Sequence, residues 1–313
     1  MDAEEIVKAC LQLGVLVSGE DLKRIEAGLS VEDFIASKTQ AVMPEVDDGK
    51  QSKLTYRLRK TKQDIITPAD IIEQEKNRYE AVKGMLLSKT SAISISNARD
   101  GAASVTLIGV VRQKGESGFV LEDFTGEIEV VCDGDKNVDE DDVISVRGAV
   151  KNGKLVCKDV IYPDVPLLRP IGRIEASLLL MPKPAKPAAA VDAVLSTGPV
   201  ETETKNIVIE ASPSHLNLYK SGGKVSVIFY RTADEMTQQQ AINMLKKRSL
   251  KKGKGIAADA GAYLIDPVPD ILWIAGKGQD WIETYKGVTI VHSPEGSERQ
   301  AFINLKTREA GFL

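Results

Sequence analysis

A chain of 313 residues with 42% hydrophobic content has room for two or three domains, and no apolar run approaches the ~20 residues of a membrane-spanning helix. A net charge of −4 excludes a global basic field that would draw the protein onto nucleic acid. Three scattered cysteines, Cys10, Cys132 and Cys157, exclude a disulfide framework and a zinc finger; they fit a reducing cytoplasm and read most simply as small buried hydrophobes.

In chain order, residues 1–38 read as three short helices forming a docking module. Ile6, Val7, Cys10 and Leu11 make a helical stripe, and Ser18/Asp21 and Ser30/Asp33 resemble capping boxes. The acidic start lacks the basic n-region of a secretory signal. Residues 39–66 lose periodicity and are predicted to be a linker, with a basic cluster from Lys53 to Lys62. Thr67-Pro68-Ala69-Asp70 predicts a helix start, and the helix runs to about Ser88 with Ile71, Ile72, Tyr79, Val82 and Leu86 on its buried face.

Residues 103–161 change to short β-branched runs separated by turns. Ala103–Lys114, Phe119–Phe124, Glu127–Cys132, Asp142–Val150 and Leu155–Ile161 predict five strands of an OB-like barrel, with an SH3-like barrel as the alternative. Residues 67–166 form one domain on this reading, and 167–313 another of mixed helices and strands. Within the latter, Leu178-Leu179-Leu180 is a buried strand and residues 183–188 a mobile low-complexity loop. Strands follow at 206–209 and 225–230, a helix at 236–248, and strands at 270–275, 288–292 and 301–305.

Chemistry-bearing patterns are sparse. His215 and His292 lack a second ligand at metal spacing. There is no GxSxG elbow and no phosphate loop; Gly253-Lys254-Gly255 and Gly276-Lys277-Gly278 are too short. The run from Asp133 to Asp139 opens like a calcium loop, but Val138 and Ile144 stand at its glycine and glutamate positions. Asp234, Glu235, Asp259, Asp266, Asp270 and Asp280 are possible oxygen ligands, better explained as caps and surface residues. Lys246, Lys247, Arg248, Lys251 and Lys252 either complement a helix C-terminus or contact phosphate or an acidic partner.

Asp266-Pro267-Val268-Pro269-Asp270-Ile271, continuing through Tyr285-Lys286-Gly287-Val288 to Val291-His292-Ser293, resembles the last part of the small subunit of archaeal family D DNA polymerase. Residues 244–250, Asn77-Arg78-Tyr79-Glu80, Tyr162-Pro163-Asp164-Val165-Pro166 and Glu5-Ile6-Val7-Lys8 resemble the same family in the same order. The resemblance implies a multidomain α+β chain: a small helical module, an OB barrel and a truncated calcineurin-like α/β phosphodiesterase domain. It also implies a 3′–5′ exonuclease with two metals, working beside a large polymerizing subunit.

Read in the family's register, the metal motifs are degenerate. Both histidines of Gly-His-x-His fall on Gly276 and Gly278, and Tyr-His-Gly falls on Phe229-Tyr230-Arg231. Met181-Pro182-Lys183 replaces Asp-x-His, and Ser214-His215 is a trace of Asn-His. No catalytic residue, metal or cofactor is therefore expected. The resemblance implies a non-catalytic cytoplasmic scaffold, bound to the large polymerase subunit and reaching DNA through that complex. The shortened domain is expected to expose apolar surface, with Trp281 as an interface anchor. A stand-alone single-strand-binding barrel, stacking bases on Phe119 and Phe124, is the other reading.

Overall fold

The computed structural model describes residues 53–59, 67–133, 137–250 and 263–313. The predicted helices of 1–38 lie outside these residues, as do Lys251 and Lys252. The chain divides into two compact units, Met1–Gln51 and Ser52–Leu313, and all that follows concerns the second.

Helix α1 spans Pro68–Leu87, with the Ile71 amide donating to the Thr67 carbonyl at 3.2 Å. Tyr79, Val82 and Leu86 are buried against Ile108, Val110 and Val143 on the outside of the barrel. Ile72, predicted to face inward, is 70% exposed. It lies seven residues, about two turns, before Tyr79 on the same helical face.

The barrel is closed by β2 (Val105–Lys114), β3 (Gly118–Asp123), β4 (Gly126–Val131), β5 (Val143–Lys151) and β6 (Lys154–Ile161), in the order β2-β3-β4-β6-β5. All neighbours are antiparallel except β4 and β6, which run parallel. Leu107, Leu121, Val130, Ile144, Val146 and Leu155 fill the interior. Closure needs two strand glycines: a Cβ on Gly118 would lie 1.9 Å from the Val130 carbonyl oxygen, and one on Gly148 2.1 Å from that of Val156.

The rest of the chain builds two sheets. The six-stranded sheet has the order β1-β10-β11-β12-β14-β13, using Thr55–Arg59, Ser214–Lys220, Gly223–Glu235, Ile271–Lys277, Val288–Pro294 and Trp281–Tyr285. The five-stranded sheet has the order β16-β15-β7-β8-β9, using Ala310–Phe312, Ala301–Asn304, Ser177–Met181, Ala193–Ser196 and Lys205–Val208. Alternation along the strands sorts the core. Phe229, Ile271, Trp273 and Ala275 join Leu178 and Leu180 between the sheets. Ile228, Tyr230, Leu272 and Ile274 face the other way, against Ala241, Met244 and Leu245 of helix α2 (Gln238–Lys247). Thr237 and Gln240 cap that helix reciprocally.

Several expectations are corrected here. Thr55–Arg59, predicted to lie in a linker, is an edge strand paired with β10, Leu58 opposite Leu216. An edge strand keeps one side in water, so its arginines do not forbid it. The domain expected to be α/β is mostly β. Its parallel strands β7, β8 and β9 are joined by helix-free loops, although such crossovers are usually helical. The loop at 183–188 is pinned at two points: Gln300 accepts from the Ala188 amide and donates to the Lys186 carbonyl, both at 2.8 Å.

Candidate functional site

Parallel strands β11, β12 and β14 end together, and some of the sequence-predicted metal-motif positions, Tyr230, Gly276 and Gly278, lie at this rim. Tyr230 is 9% exposed and pairs with Ile274. The next residue, Arg231, bridges to Glu295 at 2.7 Å, and the Glu295 amide donates to the Gly276 carbonyl at 3.0 Å. Lys183, beyond the end of β7, bridges to Glu298 at 3.0 Å from the same β14–β15 connection. Cation–carboxylate pairs thus occupy the rim, and each is solvent-exposed.

Behind them sits His292, fully buried at the end of β14. Its ring stacks on Trp281 at 5.2 Å and 12°. Nδ1 lies 2.7 Å from the Gln279 carbonyl oxygen, which makes it the protonated nitrogen of a neutral imidazole; Nε2 has no hydrogen-bond partner. Burial lowers the His292 pKa, against the opposing effects of the Gln279 carbonyl and the Asp280 charge.

Gly276 and Gly278, the two glycines that the sequence reading singled out, flank this ring. A Cβ on Gly276 would meet Thr232 Cγ2 at 2.8 Å, the Asp234 carbonyl at 3.1 Å and His292 Nε2 at 3.4 Å. Gly278 has φ +118°, where a side chain is strained, and its Cβ would lie 3.7 Å from His292 Cε1. Even a methyl group is crowded at Gly276. Among the described residues, no three His, Cys, Asp or Glu side chains converge as a metal site.

The remaining predicted residues are dispersed. Met181 is fully buried at the end of β7, and His215 is half-buried in β10 opposite Ile228 and Arg59. The described residues of the basic cluster, Lys246, Lys247 and Arg248, make contacts within the chain. Lys247 crosses from helix α2 to the barrel loop, bonding Asp139 at 2.6 Å and Asp142 at 2.7 Å. Burial still raises the Asp142 pKa, with Lys247 opposing it. Arg248 is 4% exposed, caps helix α2 and bridges to Asp266 at 3.2 Å, while Lys246 lies over the Tyr285 ring at 5.8 Å.

A groove of about 230 Å³ lies beside these residues, lined by Arg78, Asp139, Asp141, Asp142, Asn243 and Lys247 among others. Its acidic rim suits phosphate poorly. Trp281 is half-buried and donates its indole N–H to the Met236 carbonyl at 3.1 Å. Phe119 is 5% exposed inside the barrel and offers no stacking face; Phe124 is 63% exposed, edge-on to Tyr79.

Sequence reasoning placed the junction at residues 162–166 but missed the bonds of Asp164 that tie it down. Asp164 accepts from the Val165 amide at 2.6 Å, the Tyr285 hydroxyl at 3.0 Å and Lys286 at 2.5 Å. Burial alone would raise its pKa, but those bonds hold it below the ordinary carboxylate range. The Pro-Asp-Val-Pro run was the available signal, since an acid between prolines at a domain junction has little to do but cap or pair. Just beyond it, Leu167 and Leu168 are 80% and 99% exposed.

Comparison with known proteins gives a partial likeness. No family model matches. The DNA polymerase II small subunit of Archaeoglobus fulgidus is 29% identical over 108 residues, which is 31% of this chain and 22% of that protein. The match therefore spans about a fifth of the relative's length and points to that family over one segment only. A Thermotoga maritima protein solved by solution NMR overlaps 44% of this chain and 96% of its own at 11% identity, with a TM-score of 0.26, too low to bear on the fold. Among the described residues, no helix is long and apolar enough to cross a membrane.

Proposed function

We propose that this chain is a non-catalytic accessory subunit of a family D-type DNA polymerase assembly, its barrel an OB domain and its two-sheet domain a phosphodiesterase fold without a metal site. The observation that carries the reading is the crowding at Gly276. In the family's register a metal-binding imidazole belongs there, yet the position is walled by Thr232, Asp234 and His292. The barrel order, with its parallel β4–β6 pair, supports the OB assignment, and the segment shared with an archaeal polymerase small subunit supports the family. The large polymerizing subunit is the proposed partner, with DNA reached through that complex. Trp281 is a weaker anchor than its sequence context promised, because its indole N–H and ring face are used internally. Leu167 and Leu168 are the better contacts, as exposed apolar residues on an ordered strap.

Co-expression with the large subunit tests the assignment. A single complex in gel filtration is expected, weakened when Leu167 and Leu168 are both changed to Ser. The chain alone, with Mn²⁺ and a 3′-mismatched primer, should release no nucleotides. Metal-dependent release abolished by His292→Ala would overturn the non-catalytic reading. Failure to join any polymerase large subunit would overturn the accessory one.

A further inference from the structure

The strand-start end of the six-stranded sheet, opposite the degenerate rim, carries an unbalanced buried charge. Asp270, 5% exposed just before β12, is the carboxylate that pairs with Arg169, whose Nη2 also donates to the Gly287 carbonyl at 2.9 Å. One carboxylate oxygen accepts from the Gly172 amide at 2.8 Å and from Arg169 Nη1 at 3.3 Å; the other accepts from the Ser226 amide at 2.9 Å and the Ser226 hydroxyl at 3.0 Å. The carboxylate is therefore saturated. Arg308 reaches the same residue from the β15–β16 turn, bonding the Asp270 carbonyl and, at 3.1 Å, the Thr289 hydroxyl through Nη2.

Two guanidinium groups thus share one acid, which leaves a net positive charge in a buried place. Three of their N–H nitrogens, Arg169 Nε, Arg308 Nε and Arg308 Nη1, are buried without a hydrogen-bond partner. Burial lowers the Arg308 pKa, and the charges of Arg169 and Arg173 lower it further; only Asp270 opposes them. Arg308 also holds φ +72°, a conformation unfavourable for a long side chain, to bring its guanidinium there. A buried cation with orphaned donors is costly unless a counter-charge accompanies it.

We infer that Arg169 and Arg308 form a binding site for a small oxyanion, a phosphate or a carboxylate, at the strand-start end of the two-sheet domain. Charge and donor geometry select the ligand: N–H donors of two arginines, no free acceptor, and a single acid already saturated. The site does not depend on the polymerase assignment. Its surroundings, with the exposed Leu167 and Leu168 just before Arg169, would also admit an anion presented on a larger molecule.

The test uses the full chain in thermal unfolding, with sodium phosphate, sodium acetate or sodium chloride at matched ionic strength. Phosphate is expected to raise the midpoint by about 2–4 °C over chloride at saturation. Arg308→Lys and Arg169→Lys, which keep the charge and remove the orphaned donors, should each abolish that difference. Lys306→Gln, an exposed cation in the same turn, should keep it. An equal rise with acetate identifies a carboxylate site, and a rise with phosphate alone a phosphate site. Should either lysine variant fail to fold, broadening of the phosphate ³¹P resonance by the unmodified chain decides. No excess over chloride, no broadening, or an effect unchanged in both variants overturns the proposal and leaves water as the partner of those donors.

Discussion

The two ends of one sheet contrast in how they handle charge. At the strand-end rim, Arg231–Glu295 and Lys183–Glu298 are exposed surface pairs. At the strand-start end, Asp270 is buried and tied to four separate donors from two segments of chain. Exposed pairs contribute little to stability, whereas removing one partner of a buried network strands the others. The sheet is therefore held chiefly at its strand-start end. Exposed pairs at the other end can change at small cost, and the buried network cannot.

The largest expected effect is that of Asp270→Ala. It leaves Arg169, Gly172 and Ser226 without their acceptor, and should destabilise by about 3–5 kcal/mol in urea unfolding. A change below ~1 kcal/mol would break the contrast between the ends. Gly276→Ala comes next. The new methyl pushes on Thr232 and the Asp234 carbonyl, for about 1–3 kcal/mol, and a neutral result would mean that the rim has room for a ligand. Lys247→Ala should cost about 1–3 kcal/mol, since it leaves Asp139 and Asp142, both on the barrel loop, without their shared cation. It should leave any DNA affinity unchanged, and a weakened affinity would restore the lysine to a phosphate-contacting role.

The smallest effects are at the rim. Glu295→Gln should change stability by less than about 0.5 kcal/mol. His292 should appear as a pH dependence. Its folded pKa lies below the ordinary 6.5, so the unfolded chain binds the proton first as pH falls. Stability should thus be highest above pH 6.5 and decline below it toward the folded pKa, and His292→Phe should flatten that slope. A stability that rises on acidification through this window would mean that the imidazole is paired as a cation.

The barrel was legible in the sequence almost strand by strand, because each strand alternates and each turn carries glycine or asparagine. The central strands Ser177–Met181, Gly223–Glu235, Ile271–Lys277 and Val288–Pro294 were legible as apolar runs. The edge strands of the six-stranded sheet were not. Thr55–Arg59 and Trp281–Tyr285 lie at sheet edges, where half of the side chains meet water and the pattern dissolves into polar residues. Ser214–Lys220 was missed although Leu216 and Leu218 alternate within it, because Asn217, Tyr219 and Lys220 give it the look of a loop.

Of the candidate site, residue types at Gly276 and Gly278 could be read directly, but their crowding needed coordinates. Asp270 could be taken for a cap, since a single acid carries no mark of the four donors around it. Arg169 and Arg308 gave no signal at all. They are lone arginines in connections, brought together only by the pairing of β15 with β7 and by the junction after the barrel. Lys247 and Arg248 looked like a free basic patch because charge in a sequence does not reveal its partner; Asp139, Asp142 and Asp266 had claimed both.

The edge strand Thr55–Arg59 has a consequence for how the chain folds. It pairs with Ser214–Lys220, so the whole barrel is threaded between a first strand and the sheet that receives it. Contacts of such long sequence separation form slowly, because the chain between them must first be brought to order. The barrel's own pairings, β2–β5 and β4–β6 included, all fall within Val105–Ile161 and should close first, drawing the ends of the insertion together. Stopped-flow refolding should therefore show barrel closure preceding the docking of Tyr56, followed by its fluorescence after the remaining tyrosines and both tryptophans are replaced by phenylalanine. A shorter chain starting at Thr67 should fold its barrel at an unchanged rate while leaving the β10 edge open to pairing with another molecule.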